Sequence, residues 1–174
     1  MMTTDAPVHT PTRRPDGATA TLVVASPVGP LVLHGNERAL VRLDLPGTTT
    51  VPVSDDELPE PLLKAAGQLD EYFAGQRRQF DVPSALHGTE FQRRVWTTLA
   101  GIPYGETISY AELARRVGRP TAFRAVGQAN GANPIPIVFP CHRVVASSGG
   151  LGGYGGGLDL KRRLLALEGV SDWD

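Results

Sequence analysis

Cys141 is the only cysteine in the chain, and His142 follows it directly in the segment Pro140-Cys141-His142-Arg143. A thiol attacks as its thiolate, and a neighbouring imidazole can accept the thiol proton directly or through one water. Free cysteines are also commonly buried and inert, and adjacency in sequence does not by itself bring two side chains together. The pair therefore indicates either an activated nucleophile or a structural cysteine beside an unrelated histidine.

Composition narrows the classes of protein that could carry such a pair. The 174 residues are 41% hydrophobic with a net charge of −1, which excludes general disorder and suits one domain or two small ones. A lone cysteine excludes a disulfide scaffold, and no segment has the pattern of a signal peptide or a membrane span. We therefore expect a cytoplasmic protein. The scattered histidines and the Gly152–Gly157 run match no metal or phosphate motif, so we expect no metal and no cofactor.

Charge is divided unevenly along the chain. Residues 1–87 contain 7 basic and 11 acidic residues, whereas residues 88–174 contain 10 basic and 7 acidic residues. The near-neutral total argues against a purely electrostatic nucleic-acid binder, but the basic second half is compatible with DNA. We expect few phosphate contacts and a correspondingly shallow dependence of affinity on salt.

The elements that position these residues can be predicted from periodicity and turn residues. Residues 1–17 are predicted to be a disordered tail, and residues 18–86 a small α/β domain. Its predicted elements are a three-stranded antiparallel meander, a helix capped by Asp55 or Asp56 and stopped by Gly75, and a final strand. Their bounds are Thr19–Ala25, Leu31–His34 and Leu40–Leu45 for the meander, Asp55–Ala74 for the helix and Arg78–Val82 for the last strand.

Residues 87–174 are predicted to form a helical domain. Two of its helices, separated by Gly118-Arg119-Pro120, have the spacing of a helix-turn-helix motif. Thr89 and Ser109 are the predicted caps of the first two helices. The predicted helices are Thr89–Ile102, Ser109–Val117, Thr121–Asn130 and Leu158–Glu168.

Several motifs occur around Cys141 in one order, and together they resemble the O6-alkylguanine-DNA alkyltransferase family over residues 88–169. They are Gly105-Glu106-Thr107-Ile108-Ser109-Tyr110, Arg124-Ala125-Val126-Gly127, Asn133-Pro134, Pro140–Val145 and Gly150–Gly157. The resemblance implies an N-terminal antiparallel-sheet α/β (RNase H-like) domain, followed by a winged-helix/helix-turn-helix alkyltransferase domain. It also implies irreversible, single-turnover transfer of an alkyl group from guanine O6 to the cysteine. Activity on thymine O4 stays open.

The resemblance assigns roles to four residues of the reaction. Cys141 matches the alkyl acceptor, and His142 matches the base that activates it through a water. Glu168 matches the carboxylate that orients the histidine, and Asn133 matches a hinge between the helix-turn-helix and the active-site segment. A glutamate in the last turn of a helix opposes the macrodipole, so a fixed basic partner would explain Glu168 independently.

Other matched residues imply binding to double-stranded DNA that contains O6-alkylguanine, with the target nucleotide flipped out. Arg124 matches the residue that fills the place of the flipped base in the stack, and Tyr110 matches the residue that promotes flipping and donates a hydrogen bond to the guanine. Tyr154 and the backbone amide of Gly155 match donors near O6, whereas the carbonyls of Cys141 and Val144 match acceptors for the guanine amino group. The helix Thr121–Asn130 is implied to bind in the minor groove, and we expect a monomer, with cooperativity along DNA left open.

Spacing on that helix gives a separate argument. Arg124, Gly127, Gln128 and Gly131 fall on one face, and glycine inside a helix costs about 1 kcal/mol relative to alanine. Close approach of a nucleic acid would justify two such glycines, although Gly131 could equally end the helix. Phe123 departs from the family pattern, and either core packing or a second wedge at the DNA would explain it.

Three other functions remain as alternatives. An alkyltransferase-like recognition protein would bind alkylated DNA without transfer, but that class lacks the acceptor cysteine. A winged-helix transcription regulator would leave the Cys141–His142 pair and the glycine-rich segment unexplained. A cysteine hydrolase would need an oxyanion site and would turn over.

Overall fold

The structure, a computed structural model, describes residues 17–47, 57–171 and 173. These residues form a three-stranded sheet, a two-stranded sheet, five α-helices and one short 3-10 helix. Their bounds are β1 Ala20–Val24, β2 Leu31–Gly35, β3 Leu40–Asp44, α1 Glu60–Phe73, α2 Glu90–Leu99, β4 Ile108–Ser109, α3 Tyr110–Arg116, α4 Phe123–Gly131, the 3-10 turn Cys141–Arg143, β5 Val144–Val145 and α5 Leu158–Leu167. Of the predicted N-terminal tail, only Gly17 is among the described residues.

The predicted antiparallel meander is confirmed, because β1 pairs with β2 and β2 with β3. The predicted fourth strand, Arg78–Val82, is wrong. The chain instead meets β3 at a single bridge between Leu40 and Ser84. The amide of Leu40 donates to the carbonyl of Pro83, and the amide of Ala85 donates to the carbonyl of Leu40. Because Pro83 has no N–H to donate, the ladder cannot continue along this segment.

Helix α1 begins at Glu60, later than the predicted start at Asp55. Pro59 is its N-cap residue and makes no side-chain capping hydrogen bond. The residue before a proline disfavours the helical region, so Pro59 keeps the preceding residue out of the helix. The two aspartates proposed as caps, Asp55 and Asp56, lie outside the described residues. The predicted end is confirmed, with Gly75 at a φ of 74° directly after the C-cap.

The caps predicted for α2 and α3 are confirmed. The Thr89 hydroxyl accepts a hydrogen bond from the amide of Gln92 (3.1 Å), and Gln92 accepts one from the amide of Thr89 (2.9 Å). This capping box satisfies two amides that a helix start otherwise leaves unpaired. Ser109 likewise accepts from the amide of Glu112 at the start of α3. Helix α4 begins at Phe123 and has no side-chain cap.

Two clusters of buried apolar residues hold the fold together. The first packs β1–β3 and α1 with Ile135, Ile137, Leu160 and Leu164, which come from the second half of the chain. The second is built by α2, α3 and α4 and includes Cys141. The first core therefore uses residues from both sides of the predicted boundary between residues 86 and 87, and that boundary stays a prediction.

A short parallel pairing was not predicted, although it positions the cysteine. β4 pairs with β5, with Ile108 opposite Val144 and Ser109 opposite Val145. This pairing brings the first residue of α3, Tyr110, beside the turn that carries Cys141. Two-residue strands have too little sequence to show a period, which explains the omission. In the described part of the chain, no helix is long and apolar enough to cross a membrane.

Candidate active site

Cys141 opens the 3-10 turn that precedes β5, and its side chain forms one wall of a cavity of about 230 Å³. The residue is only 6% exposed. Its amide donates to the carbonyl of Phe139 (2.8 Å), which fixes the start of the turn. The other lining residues come from the residue that follows β3, from α3, from α4, from the loop after α4 and from the glycine-rich segment: Leu45, Tyr110, Gly127, Asn130, Gly131, Asn133, Pro136, Gly153, Tyr154 and Gly155.

The environment of Cys141 keeps its sulfur protonated at neutral pH. Burial raises the pKa of the thiol to about 11, against the opposing effects of the Asn133 side chain and the Lys161 charge. Since the thiolate is the nucleophilic form, any reaction in which Cys141 attacks would need a base to remove its proton.

His142 has the properties of that base. The side chain is fully buried, and its Nε2 lies 2.7 Å from Oε2 of Glu168. A carboxylate can only accept, so Nε2 carries the hydrogen and Nδ1 is left as an acceptor. Nδ1 is buried and has no partner among the described residues. Burial lowers the pKa of His142 despite the adjacent carboxylate, so the imidazole is neutral at pH 7 and able to take a proton.

Glu168 is held by a cluster of buried donors. Arg143 donates from Nε to Oε1 (2.7 Å) and from Nη2 to Oε2 (3.1 Å), and the hydroxyl of Tyr72 donates to Oε2 (2.6 Å). Burial alone would raise the pKa of Glu168, but the hydrogen bonds from His142 and Arg143 lower it to about 2. The structure thus supplies the fixed basic partner that the helix-dipole argument required.

Asn133 braces the loop between α4 and the cysteine. Its Nδ2 donates to the carbonyl of Phe139 (2.7 Å), and its Oδ1 accepts from the amide of Ile135 (3.0 Å). The same loop holds Ile137 at a φ of 72°, a costly conformation for a β-branched residue. Asn133 therefore holds a strained segment in place next to Cys141, a geometry that suits the predicted hinge.

The glycine-rich segment packs directly against Tyr110. Gly152 has a φ of 72°, and a Cβ there would lie 2.8 Å from Cε2 of Tyr110, so only glycine allows this approach. The Tyr110 hydroxyl is 3.5 Å from the carbonyl of Gly153. Two polar atoms of cavity-lining residues, the Tyr154 hydroxyl and Oδ1 of Asn130, are buried without a partner among the described residues. Buried polar atoms usually have a partner, so a polar group that enters the cavity would find a donor or acceptor in each of these two side chains.

Lys161 is a site residue that the sequence reasoning missed. Its ammonium group is fully buried and donates to the carbonyls of Val144 (2.7 Å), Leu151 (2.5 Å) and Gly153 (3.0 Å). Burial lowers the pKa of Lys161 to about 8, opposed by the nearby Cys141. The sequence does indicate that the Lys161 side chain is buried, because Lys161 shares helical spacing with the buried residues Leu164, Leu165 and Glu168.

The carbonyl of Val144, predicted to bind the guanine amino group, therefore already accepts one hydrogen bond from Lys161. A carbonyl has two lone pairs, so one acceptor position remains for a ligand.

The predicted binding face of α4 is divided between two surfaces. Gly127 and Gly131 border the Cys141 cavity, whereas Gln128 is exposed on a shallow depression against α2. Arg124 is exposed and forms no hydrogen bond or ion pair within the described residues. Phe123 is 51% exposed, so the core-packing explanation for it is wrong.

The described residues contain no group of three or more His, Cys, Asp or Glu side chains able to hold a metal.

Comparison with known proteins gives a consistent result over most of the chain. Residues 90–170 match the family model of the 6-O-methylguanine DNA methyltransferase DNA binding domain, and residues 21–86 match that of its ribonuclease-like domain.

Among curated relatives, a methylated-DNA–protein-cysteine methyltransferase of Mycolicibacterium paratuberculosis is 53% identical over 147 residues, covering 83% of this chain and 89% of the relative. One from Methanosarcina barkeri is 48% identical, covering 84% of this chain and 94% of the relative. The crystal structure of Mycobacterium tuberculosis OGT in complex with DNA superposes with a TM-score of 0.76 at 50% identity, covering 86% of this chain and 92% of the other. The chain therefore belongs to the 6-O-methylguanine DNA methyltransferase family.

Proposed function

We propose that this chain repairs DNA by transferring an alkyl group from guanine O6 to Sγ of Cys141, in one irreversible turnover. The buried His142–Glu168 pair carries the proposal, because it leaves Nδ1 of His142 as an unpaired acceptor one residue from the only thiol in the chain. Family membership supports the reaction class, and the DNA complex of the Mycobacterium tuberculosis relative supports DNA as the partner.

The proposed reaction is an SN2 displacement at the alkyl carbon. The thiol proton passes to Nδ1 of His142 through one water, and the Sγ–C bond forms as the C–O6 bond breaks. The electron pair of the broken bond goes to the guanine, and N1 of the guanine takes up one proton, which balances the proton that the thiol gave to His142. The product thioether has no leaving group that water displaces readily, and no second cysteine can remove the alkyl group. Each molecule is therefore consumed.

Charge that develops on the leaving guanine would be stabilised by donors at the cavity. The hydroxyls of Tyr154 and Tyr110 and the amide of Gly155 are the candidates, since all three residues line the cavity with Cys141. The Tyr154 hydroxyl is buried and unpaired among the described residues, so a guanine oxygen would satisfy it. The carbonyls of Cys141 and Val144 are the proposed acceptors for the guanine amino group.

The position of α4 supports entry of a flipped base from double-stranded DNA. A Cβ at Gly127 or Gly131 would meet no protein atom within 4 Å, so packing within the protein does not require glycine at either position. A nucleic-acid backbone lying against the helix would explain both glycines. We propose that α4 binds in the minor groove and that Arg124 fills the place of the flipped base. Every proposed group comes from one chain, so we propose a monomer.

The recognition-only alternative is less well supported. A protein that only recognises alkylated DNA has no use for a nucleophile, yet Cys141 lines the cavity and the next residue, His142, is neutral and oriented by Glu168.

The test of this proposal is whether a methyl group is transferred from DNA to Sγ of Cys141. The protein is mixed with a duplex that contains O6-methylguanine, and the added methyl group is mapped by mass spectrometry. We expect one methyl group on the Cys141 peptide, with at most one equivalent per protein. Cys141→Ser should bind the same duplex and acquire no methyl group. Tight binding by the natural protein with an unmodified Cys141 would contradict transfer and favour recognition alone.

A further inference from the structure

Tyr72 connects the N-terminal half of the chain to the base of the proposed reaction. It lies in the last turn of α1 and is fully buried in the first core. Its hydroxyl donates to Oε2 of Glu168 at 2.6 Å, across 96 residues of sequence. The same oxygen accepts the hydrogen bond from Nε2 of His142. One carboxylate oxygen thus joins the sheet-containing half to the catalytic histidine.

Packing fixes the Tyr72 hydroxyl in place. Its ring contacts three aromatic rings at centroid distances of 5.1, 5.5 and 6.2 Å, those of Phe73, Phe80 and Tyr104. Burial and the charge of Glu168 raise the pKa of Tyr72 far above its usual value. The group therefore stays protonated and acts as a donor throughout the working pH range.

Besides Tyr72 and His142, Oε2 of Glu168 has a third donor, Arg143, and its hydrogen bond is the longest of the three. Nη2 of Arg143 reaches Oε2 at 3.1 Å, whereas its Nε holds the opposite oxygen, Oε1, at 2.7 Å. Arg143 alone leaves the Oε2 side of the carboxylate less tightly held. The Tyr72 hydroxyl holds Oε2 in place, since a short charge-assisted hydrogen bond has strong directional preference.

We propose that Tyr72 is a positioning residue for alkyl transfer, because its hydroxyl fixes Oε2 of Glu168 and thereby the imidazole of His142. The N-terminal half then completes the active site instead of serving only as a scaffold. This inference rests on the proposed function, since it concerns the base that activates Cys141.

The test compares two tyrosines of the same cluster. Tyr72→Phe removes the hydroxyl on Glu168, whereas Tyr104→Phe removes a hydroxyl that donates to the carbonyl of Leu167. Both rings are in mutual contact, so both variants probe similar packing. Three quantities are measured for each variant: the single-turnover rate of methyl transfer to Cys141, the affinity for the methylated duplex, and the NMR resonance of the His142 Nε2 proton.

We expect Tyr72→Phe to slow transfer by about tenfold or more, the effect of losing a hydrogen bond to a charged group. DNA affinity should stay unchanged and the Nε2 proton should shift, whereas Tyr104→Phe should leave the transfer rate within about twofold of the natural protein. Equal transfer rates in the two variants, or an unmoved Nε2 resonance in Tyr72→Phe, would overturn the inference.

A second substitution keeps the ring and the hydroxyl in case Tyr72→Phe does not fold. Fluorotyrosine at position 72 is a stronger donor and should move the Nε2 resonance, whereas fluorotyrosine at position 104 should not. An unmoved resonance with fluorotyrosine at position 72 overturns the proposal. Methylation of the natural protein distinguishes the failure of the two hypotheses. If the natural protein leaves Cys141 unmethylated, the proposed function is wrong. If the natural protein methylates Cys141 and Tyr72→Phe does so at the same rate, only the proposed role of Tyr72 is wrong.

Discussion

Nε2 of His142 lies 2.7 Å from Oε2 of Glu168, and neither side chain is exposed to solvent. The contact determines which ring nitrogen carries the hydrogen, and so which one can accept a proton from Cys141. It also places a carboxylate where an imidazolium would form. The orientation of the His142 ring and the stabilisation of its protonated form therefore come from the same hydrogen bond.

Replacing this carboxylate by an amide should impair both stability and transfer. Glu168→Gln leaves Arg143 buried without its counter-charge, so we expect the free energy of unfolding to fall by about 3–5 kcal/mol. Methyl transfer should also slow strongly, because an amide does not stabilise the imidazolium. Denaturant titration and single-turnover kinetics measure the two effects. Glu112→Gln is the control, since its partners Arg115 and Arg116 are surface groups and losing a surface ion pair should change the free energy of unfolding little. Equal losses in both variants would contradict the prediction.

Acid should destabilise the protein in a defined pH range. The folded-state pKa of Glu168 is about 2 instead of the usual 4.5, and that of His142 is lowered from 6.5. In both cases the unfolded chain binds the proton more readily, so stability is lost as pH falls. The loss should begin near pH 6.5 and continue below pH 4.5, and Glu168 should account for about 2 kcal/mol of it by pH 3 and about 3 kcal/mol in total at still lower pH. Unfolding free energies measured from pH 7 to pH 3 test this, and Glu168→Gln should flatten the curve below pH 4.5.

The thiol should be unreactive toward simple alkylating reagents. With a pKa of about 11 and 6% exposure, Cys141 should react with iodoacetamide at pH 7.5 far more slowly than a free cysteine. The rate should continue to rise up to pH 10. Because the chain has one cysteine, labelling can be followed by total mass, with the protein in denaturant as the control. Fast labelling at pH 7.5 in the folded state would mean that the thiolate is present without substrate.

Lys161 should hold the glycine-rich segment against β5. Lys161→Met removes the three hydrogen bonds to the carbonyls of Val144, Leu151 and Gly153. Each buried acceptor left unpaired costs about 1–3 kcal/mol. We expect faster amide hydrogen exchange over residues 151–155 and slower methyl transfer. Lys64, the other lysine of the chain, is 38% exposed, so Lys64→Met should change neither. Unchanged exchange in Lys161→Met would exclude this role.

Two neighbouring residues of α4 should affect DNA without affecting the fold. Arg124→Ala should slow repair of a base within duplex DNA and leave reaction with free O6-methylguanine unchanged. Phe123→Ala should weaken DNA binding. Both residues are exposed, so the free energy of unfolding should change by no more than about 0.5 kcal/mol. Leu63, also exposed at 49% but on α1, provides the control through Leu63→Ala. Full repair of duplex DNA by Arg124→Ala would refute the assignment of Arg124 as the residue that fills the place of the flipped base.

Local features of the sequence were sufficient for most of the elements. The caps at Thr89 and Ser109 depend on residues within three positions, and the meander on short apolar, β-branched runs between turn residues, so both could be predicted. The start of α1 was predicted too early because an apolar period does not show where Pro59 interrupts it. The prediction of a strand at Arg78–Val82 is wrong because sheet pairing at Pro83 depends on a partner more than 40 residues away.

The sequence by itself was enough to predict the reactive group, since one cysteine beside one histidine in an ordered series of motifs points to Cys141 as the proposed nucleophile and His142 as its proposed base. Only the tertiary structure decided how that histidine is held. Tyr72, Arg143 and Lys161 act through hydrogen bonds to residues distant in sequence, or to carbonyls that every residue possesses. The partners in such contacts leave no local pattern, because burial and a folded backbone create them, although the helical spacing of Lys161 does indicate that its side chain is buried.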